Sequence, residues 1–181
     1  MRTLGQVYLE SVIGRITTYK TLGDRTFAQL EEPHFHFVPA PGSNSIALIV
    51  QHVSGNMLSR WTNFLTEDGE KEWRNRETEF SPHSYDRAQL IALWEKGWAC
   101  LLDALGSLTE ADLLKTIYIR HEPLSVVDAI DRQLAHYPYH VGQILYIGKM
   151  VRGTAWTSLS IAPGQSGEFN REMEQTHRLS K

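Results

Sequence analysis

The chain has 181 residues, 41% hydrophobic and 22% charged, with a formal net charge of −3. That size suits one domain able to bury most of its unfolded surface, and the slightly acidic balance leaves no basic footprint for nucleic acid. The longest aliphatic run, Ile46-Ala47-Leu48-Ile49-Val50, is too short to span a bilayer, and the single Cys100 excludes an internal disulfide.

The N-terminal MRTLGQVYLESVIGR has no secretory apolar region, and one cysteine fits a reducing compartment, so a cytoplasmic location without membrane or nucleic-acid partners is expected. Val7, Tyr8, Val12, Ile13, Ile16 and Leu22 recur at helical spacing and predict a first helix from Leu4 to Leu30, stopped by Glu31, Glu32 and Pro33. PHFHFVPAPGSNS reads as a connecting loop, with Ser43 or Asn44 capping a second helix from Ser45 to Leu65. The polar TEDGEKEWRNRETEFSPHS follows as a long crossover anchored by Trp73 and Phe80. A third helix is expected from near Ser84 to Gly106, a natural residue to end it. Thr109 with Asp112 has capping-box form and opens a short turn, while Thr116-Ile117-Tyr118-Ile119 is β-prone, as a minor strand or an extended link.

The fourth helix is the best defined. Ser125 and Asp128 open it, and Val127, Ile130, Leu134, Tyr137, Val141, Ile144, Gly148 and Val151 then alternate in steps of three and four until Gly153. The elements predict an all-α fold: a four-helix bundle with a long crossover between helices 2 and 3, one domain over residues 1–181. Its tail from about 154 is expected to be partly irregular and frayed at the end. Pro138 breaks the local rule. Inside a helix it removes an N–H and presses on the Leu134 carbonyl, at a cost of about 3 kcal/mol, so a kink or bulge is expected. Local rules tend to fail at functional sites, and Pro138 lies between two histidines.

Those histidines, His136 and His140, are four apart and share one helical face, a spacing that lets both imidazoles reach one ion. They lie on a stripe with Ala129, Gln133, Gln143 and Ile147, beside the apolar seam and facing the rim of a bundle core. His52, in the middle of IALIVQHVSGNML, is the candidate third ligand. Gly55 and Ser54 allow close approach there, and Asn56 points the same way to orient a ligand or a bound water. The same spacing also arises by accident or as a surface feature, and His52 alone is as well explained as a satisfied core histidine. Spacing does not decide between them.

His34, His36, His83, His121 and His177 have no partner at ligand spacing on a long helix. Cys100, beside Trp98, Ala99, Leu101 and Leu102, reads as a buried inert thiol. Neither GxSxG, P-loop, GxGxxG, HExxH nor CxxC occurs, which removes most named hydrolases and nucleotide enzymes. Arg74 and Arg76 belong to a solvated loop unless it folds over the metal mouth, where they would clamp an anionic group.

NSIALIVQHVSGNMLSRW, GEKEWRNRETEF and AHYPYHVGQILYIGK, in that order, resemble the DinB/YfiT-like metalloprotein superfamily, in particular a bacterial subfamily of unassigned function. The resemblance extends to the ending SLSIAPGQSGEFN and so covers nearly the whole chain. It implies a divalent metal (zinc, nickel, iron or manganese) on His52, His136 and His140, with open positions for water or substrate. Asn56, Gln143, Arg74 and Arg76 are the surrounding or substrate-contacting candidates, and no catalytic residue is assigned. The resemblance further implies a homodimer and a metal-dependent transferase that joins a low-molecular-weight thiol of the bacillithiol type to small electrophiles. The alternatives are a metal-dependent hydrolase and a non-catalytic metal- or small-ligand-binding stress-response protein. Pro138 departs from the family pattern, in which a good helix former is expected between the two histidines.

Overall fold

A computed structural model describes residues 1–81 and 83–178, which form seven α-helices and one two-stranded sheet. α1 (Leu4–Phe27) opens on a reciprocal cap: Thr3 Oγ1 accepts from the Gln6 amide while the Gln6 side chain accepts from the Thr3 amide. It stops short of Leu30, and the chain turns at once into α2 (Glu32–Phe35), which drives Phe35 against Phe27 with ring centroids 5.2 Å apart. Pro33 therefore begins a helix instead of ending one, since its missing N–H would be unpaired in a first turn anyway.

α3 (Ile46–Trp61) is capped by Ser45, whose Oγ accepts from the Leu48 amide, and not by Ser43 or Asn44; it ends before Leu65, with Asn63 at φ +50°. The crossover that follows carries α4 (Arg76–Glu79). Trp73 does not anchor this crossover, being 61% exposed. Its inward residues are Lys71, Arg74 and Glu79, with Phe80 half-buried. α5 (Arg87–Ser107) starts later than Ser84 because Asp86 and Gln89 form its reciprocal cap, and Gly106 lies inside its last turn.

The β-prone segment becomes β1 (Thr116–Ile119), which pairs antiparallel with β2 (Glu122–Ser125). Arg120 and His121, at φ +55° and +64°, make the tight turn between them. Asp68 ties this turn to the crossover by accepting from both turn amides (2.9 and 2.8 Å), and the Gly69 amide donates to Tyr118 O. Ser125 caps α6 (Val126–Arg152), which runs unbroken through Pro138. After Trp156 the chain is not simply irregular: α7 (Ser166–Arg178) forms, with no buried residue. The end expected to fray, residues 179–181, lies outside the described residues.

α3 packs on α5 and α6, and α1 packs on α6 and α5, so the four long helices enclose one core in which Trp94, Trp98 and Tyr137 are fully buried. α3 and α5 come close enough that a Cβ on Gly97 would meet the Ser54 Cα at 3.0 Å. No helix among the described residues is long and apolar enough to cross a membrane.

Candidate metal centre

His52 sits mid-way along α3, and His136 and His140 lie one turn apart on α6, which packs beside it. One ring nitrogen from each comes within 4.8 Å of the others. His52 and His140 are buried and His136 is half-buried.

The ring nitrogens are sorted by their partners. His52 Nδ1 donates to Glu79 Oε2 (2.9 Å), His136 Nδ1 to Gln133 Oε1 (3.3 Å) and His140 Nδ1 to Gln143 Oε1 (3.1 Å). Each of these oxygens can only accept, so each Nδ1 carries its proton, and in a neutral ring Nε2 then keeps a bare lone pair. Burial first, then the neighbouring imidazoles and the Arg60 and Arg74 guanidiniums, push His136 down to about 3. Burial and then the His52 ring push His140 down to about 4, so both rings are neutral near pH 7.

Neutrality makes one contact informative. His136 Nε2 and His140 Nε2 face each other at 3.2 Å with no proton to share. Two facing lone pairs repel unless an electrophile lies between them. On a tetrahedral ion with metal–nitrogen bonds of 2.0–2.1 Å, two ligands stand about 3.3 Å apart. The donor set therefore fits a divalent ion: three imidazoles, each with its outer nitrogen fixed.

Glu79 had no signature in the sequence. It arrives from the short α4, accepts from His52, and takes Arg74 in a two-pronged pair, Nε to Oε1 at 2.7 Å and Nη2 to Oε2 at 2.9 Å. Burial, the strongest influence, raises its carboxyl pKa, but the hydrogen bonds from His52 and Arg74 outweigh it and hold the carboxyl below its usual range. Gly55 makes room for it, since a Cβ there would stand 2.9 Å from the Glu79 Cδ. The small residues beside His52 thus admit a carboxylate from the crossover.

The other candidates divide. Gln143 holds His140, as above. Asn56 lines the same cup as His52, and its Oδ1 accepts from Tyr137 Oη (3.0 Å), which in turn accepts from Trp61 Nε1 (3.0 Å). Tyr137 was legible only as a seam residue. Arg74 is almost wholly buried rather than solvated, whereas Arg76 is half-exposed and lies over the Phe80 ring. Phe80 packs on the His52 ring at 4.8 Å and Tyr139 on the His140 ring at 4.0 Å. Cys100 is half-buried beside Thr62 and does not line the cup, of about 490 Å³, that opens over the cluster.

Fold and cluster define a mostly helical protein with three histidines that could hold a metal ion. Over residues 3–165 the chain matches the family described as protein of unknown function DUF1572, and it belongs to that family. No curated protein matches it.

Proposed function

We propose that the chain is a single DinB/YfiT-like four-helix-bundle domain acting as a metal-dependent enzyme, with His52, His136 and His140 as ligands. Its reaction is the transfer of a low-molecular-weight thiol to a small electrophile. The observation that carries the metal reading is the convergence of three imidazoles whose Nδ1 protons are each held by an outer acceptor. When bound, zinc, nickel, iron or manganese on three neutral imidazoles keeps open positions and brings the pKa of a thiol or water toward neutrality.

The residues of the chain do the positioning. Glu79, Gln133 and Gln143 keep the three rings in one tautomer, and Phe80 and Tyr139 narrow the mouth and exclude water from one side. The thiol-transfer assignment rests on the family resemblance. Cys100 lies outside the cup, so the sulfur comes from a free thiol. That sulfur forms a new C–S bond as an epoxide C–O bond or an aryl C–Cl bond breaks. The thiol proton passes to the epoxide oxygen, or to solvent when chloride leaves.

The purified protein is expected to carry about one divalent ion per chain, and His52→Ala to lose it, by elemental analysis. Full occupancy in that variant would sink the ligand assignment. Thiols paired with epoxides or chlorodinitrobenzene should turn over only in metal-loaded protein. If metal is bound and none turns over, the site is a ligand-binding centre instead.

A further inference from the structure

We propose that the cup over the histidine cluster is built for a small polyanion carrying two or more carboxylate or phosphate groups, with Arg76, Arg120 and Arg132 as its rim contacts. This deepens the enzyme reading by naming the charge of its substrate, and rests on that reading only for the reacting end.

Five arginines line the cup: Arg60 from α3, Arg74 and Arg76 from the crossover, Arg120 from the hairpin turn and Arg132 from α6. Among the described lining residues none is Asp or Glu, although the chain as a whole is net acidic. The cup's volume suits a small molecule and not a polymer groove.

The arginines form two tiers. Arg60 and Arg74 are the buried floor. A single carboxylate, Glu70, faces Arg60 at 2.9 Å, Arg120 at 3.1 Å and Arg74 at 3.5 Å, so one negative charge serves three guanidiniums. Glu79 is already shared by Arg74 and His52. Arg74 Nη1 is buried without a hydrogen bond. Arg60, Arg74 and Arg120 together thus set three guanidiniums against two carboxylates, Glu70 and Glu79, and one positive charge is left over.

The rim is half-exposed, and Arg76 and Arg132 on it are loosely held. Arg76 reaches Glu77, and Arg132 reaches Glu122, each at 3.6 Å and each toward an exposed carboxylate. Exposed pairs of that length contribute little, so a ligand anion can replace them at small cost. A fork of guanidinium N–H groups suits carboxylate and phosphate oxygens alike.

Arg120 adds an independent sign. At φ +55° it occupies a left-handed position where Gly or Asn is favoured in a two-residue hairpin turn. That backbone conformation does not call for an arginine, yet the turn sets one at the cup, where its Nε also reaches Glu70 at 3.1 Å. Strain of this kind gathers where a side chain must be held in place for a ligand.

Calorimetry on metal-free protein tests the proposal with citrate and pyrophosphate as probes and triethyl citrate as the neutral control. Either anion is expected to bind once per chain, more weakly as salt rises, and the ester not to bind; which anion wins tells carboxylate from phosphate. Arg132→Gln and Arg120→Gly should each weaken binding about tenfold or more, and Arg15→Gln, on the exposed face of α1, should not. Glycine relieves the turn, and Glu70 keeps Arg60 and Arg74 as partners when Arg120 is lost, so Arg120→Gly should melt close to the wild-type temperature while binding worse, an outcome that a purely structural role does not give. Absence of binding by both anions, equal binding of the ester, or wild-type affinity in both variants overturns the proposal. Metal uptake is measured separately: anion binding without metal uptake sinks the metal enzyme alone, and metal uptake without anion binding sinks the polyanion alone.

Discussion

Glu79 is pulled from two sides, by the His52 Nδ1–H and by the Arg74 guanidinium. Glu79→Gln keeps the shape and removes the charge. Outer carboxylates of this kind fix ligand orientation and raise basicity, and their loss lowers metal affinity about 10–100-fold. The same change leaves Arg74 buried without its main counter-ion, which costs about 3–5 kcal/mol in known buried pairs. The two effects separate in Arg74→Met/Glu79→Gln, where an apolar side chain removes the stranded charge. Melting temperature should recover in the double variant while metal affinity, by titration, stays low; recovery of both would leave Glu79 a packing partner only. His52, His136 and His140 were legible because each sits on a periodic helix, where spacing translates into a shared direction. Glu79 was not, because it lies in an irregular polar stretch where no period says which of several glutamates turns inward.

At the scale of elements, α6 joins a strong apolar seam to a local fault. Its hydrophobic steps of three and four were enough to draw the helix from Ser125 to Gly153, and it keeps those limits. Pro138 leaves the Leu134 carbonyl without its helical donor, yet the helix continues, because buried Tyr137, Val141 and Ile144 hold both halves against the core. Pro138→Ala restores that donor and removes the ring clash. Helix propensity favours Ala by about 3 kcal/mol, and part of that gain should appear as a higher melting temperature of the metal-free protein. If Pro138 helps aim His136 and His140, the variant should bind metal no more tightly despite its greater stability, the usual exchange at a functional site. A lower melting temperature would instead mean that packing around Pro138 is fitted to the ring. Helix ends were less legible than helix bodies. Ser45 rather than Ser43 or Asn44 caps α3, and Pro33 opens α2, because several adjacent residues can all cap and only the tertiary path selects one.

At the scale of the molecule, the candidate ligands come from α3 and α6, elements separated in sequence and joined only through the folded core. The arginine cup is still more distributed, drawing on two helices, a crossover and a hairpin turn, and so had no sequence pattern beyond Arg74 and Arg76. A site that exists only in the folded state couples its ligand to folding. Without an ion, the 3.2 Å approach of two bare nitrogens is a local cost that the core must bear. An ion that binds the folded chain alone, present at a thousand times its Kd, adds about 4 kcal/mol of stability. For a chain of this size each kcal/mol moves the melting temperature by roughly 2–4 °C, so loading should raise it by about 8–16 °C. A chelator should reverse the rise, and His136→Ala/His140→Ala should show none of it while folding normally in metal-free buffer. Coincident melting of the chelated and loaded wild-type protein would mean that the three imidazoles hold no ion, and that their close approach is sustained by the helices alone.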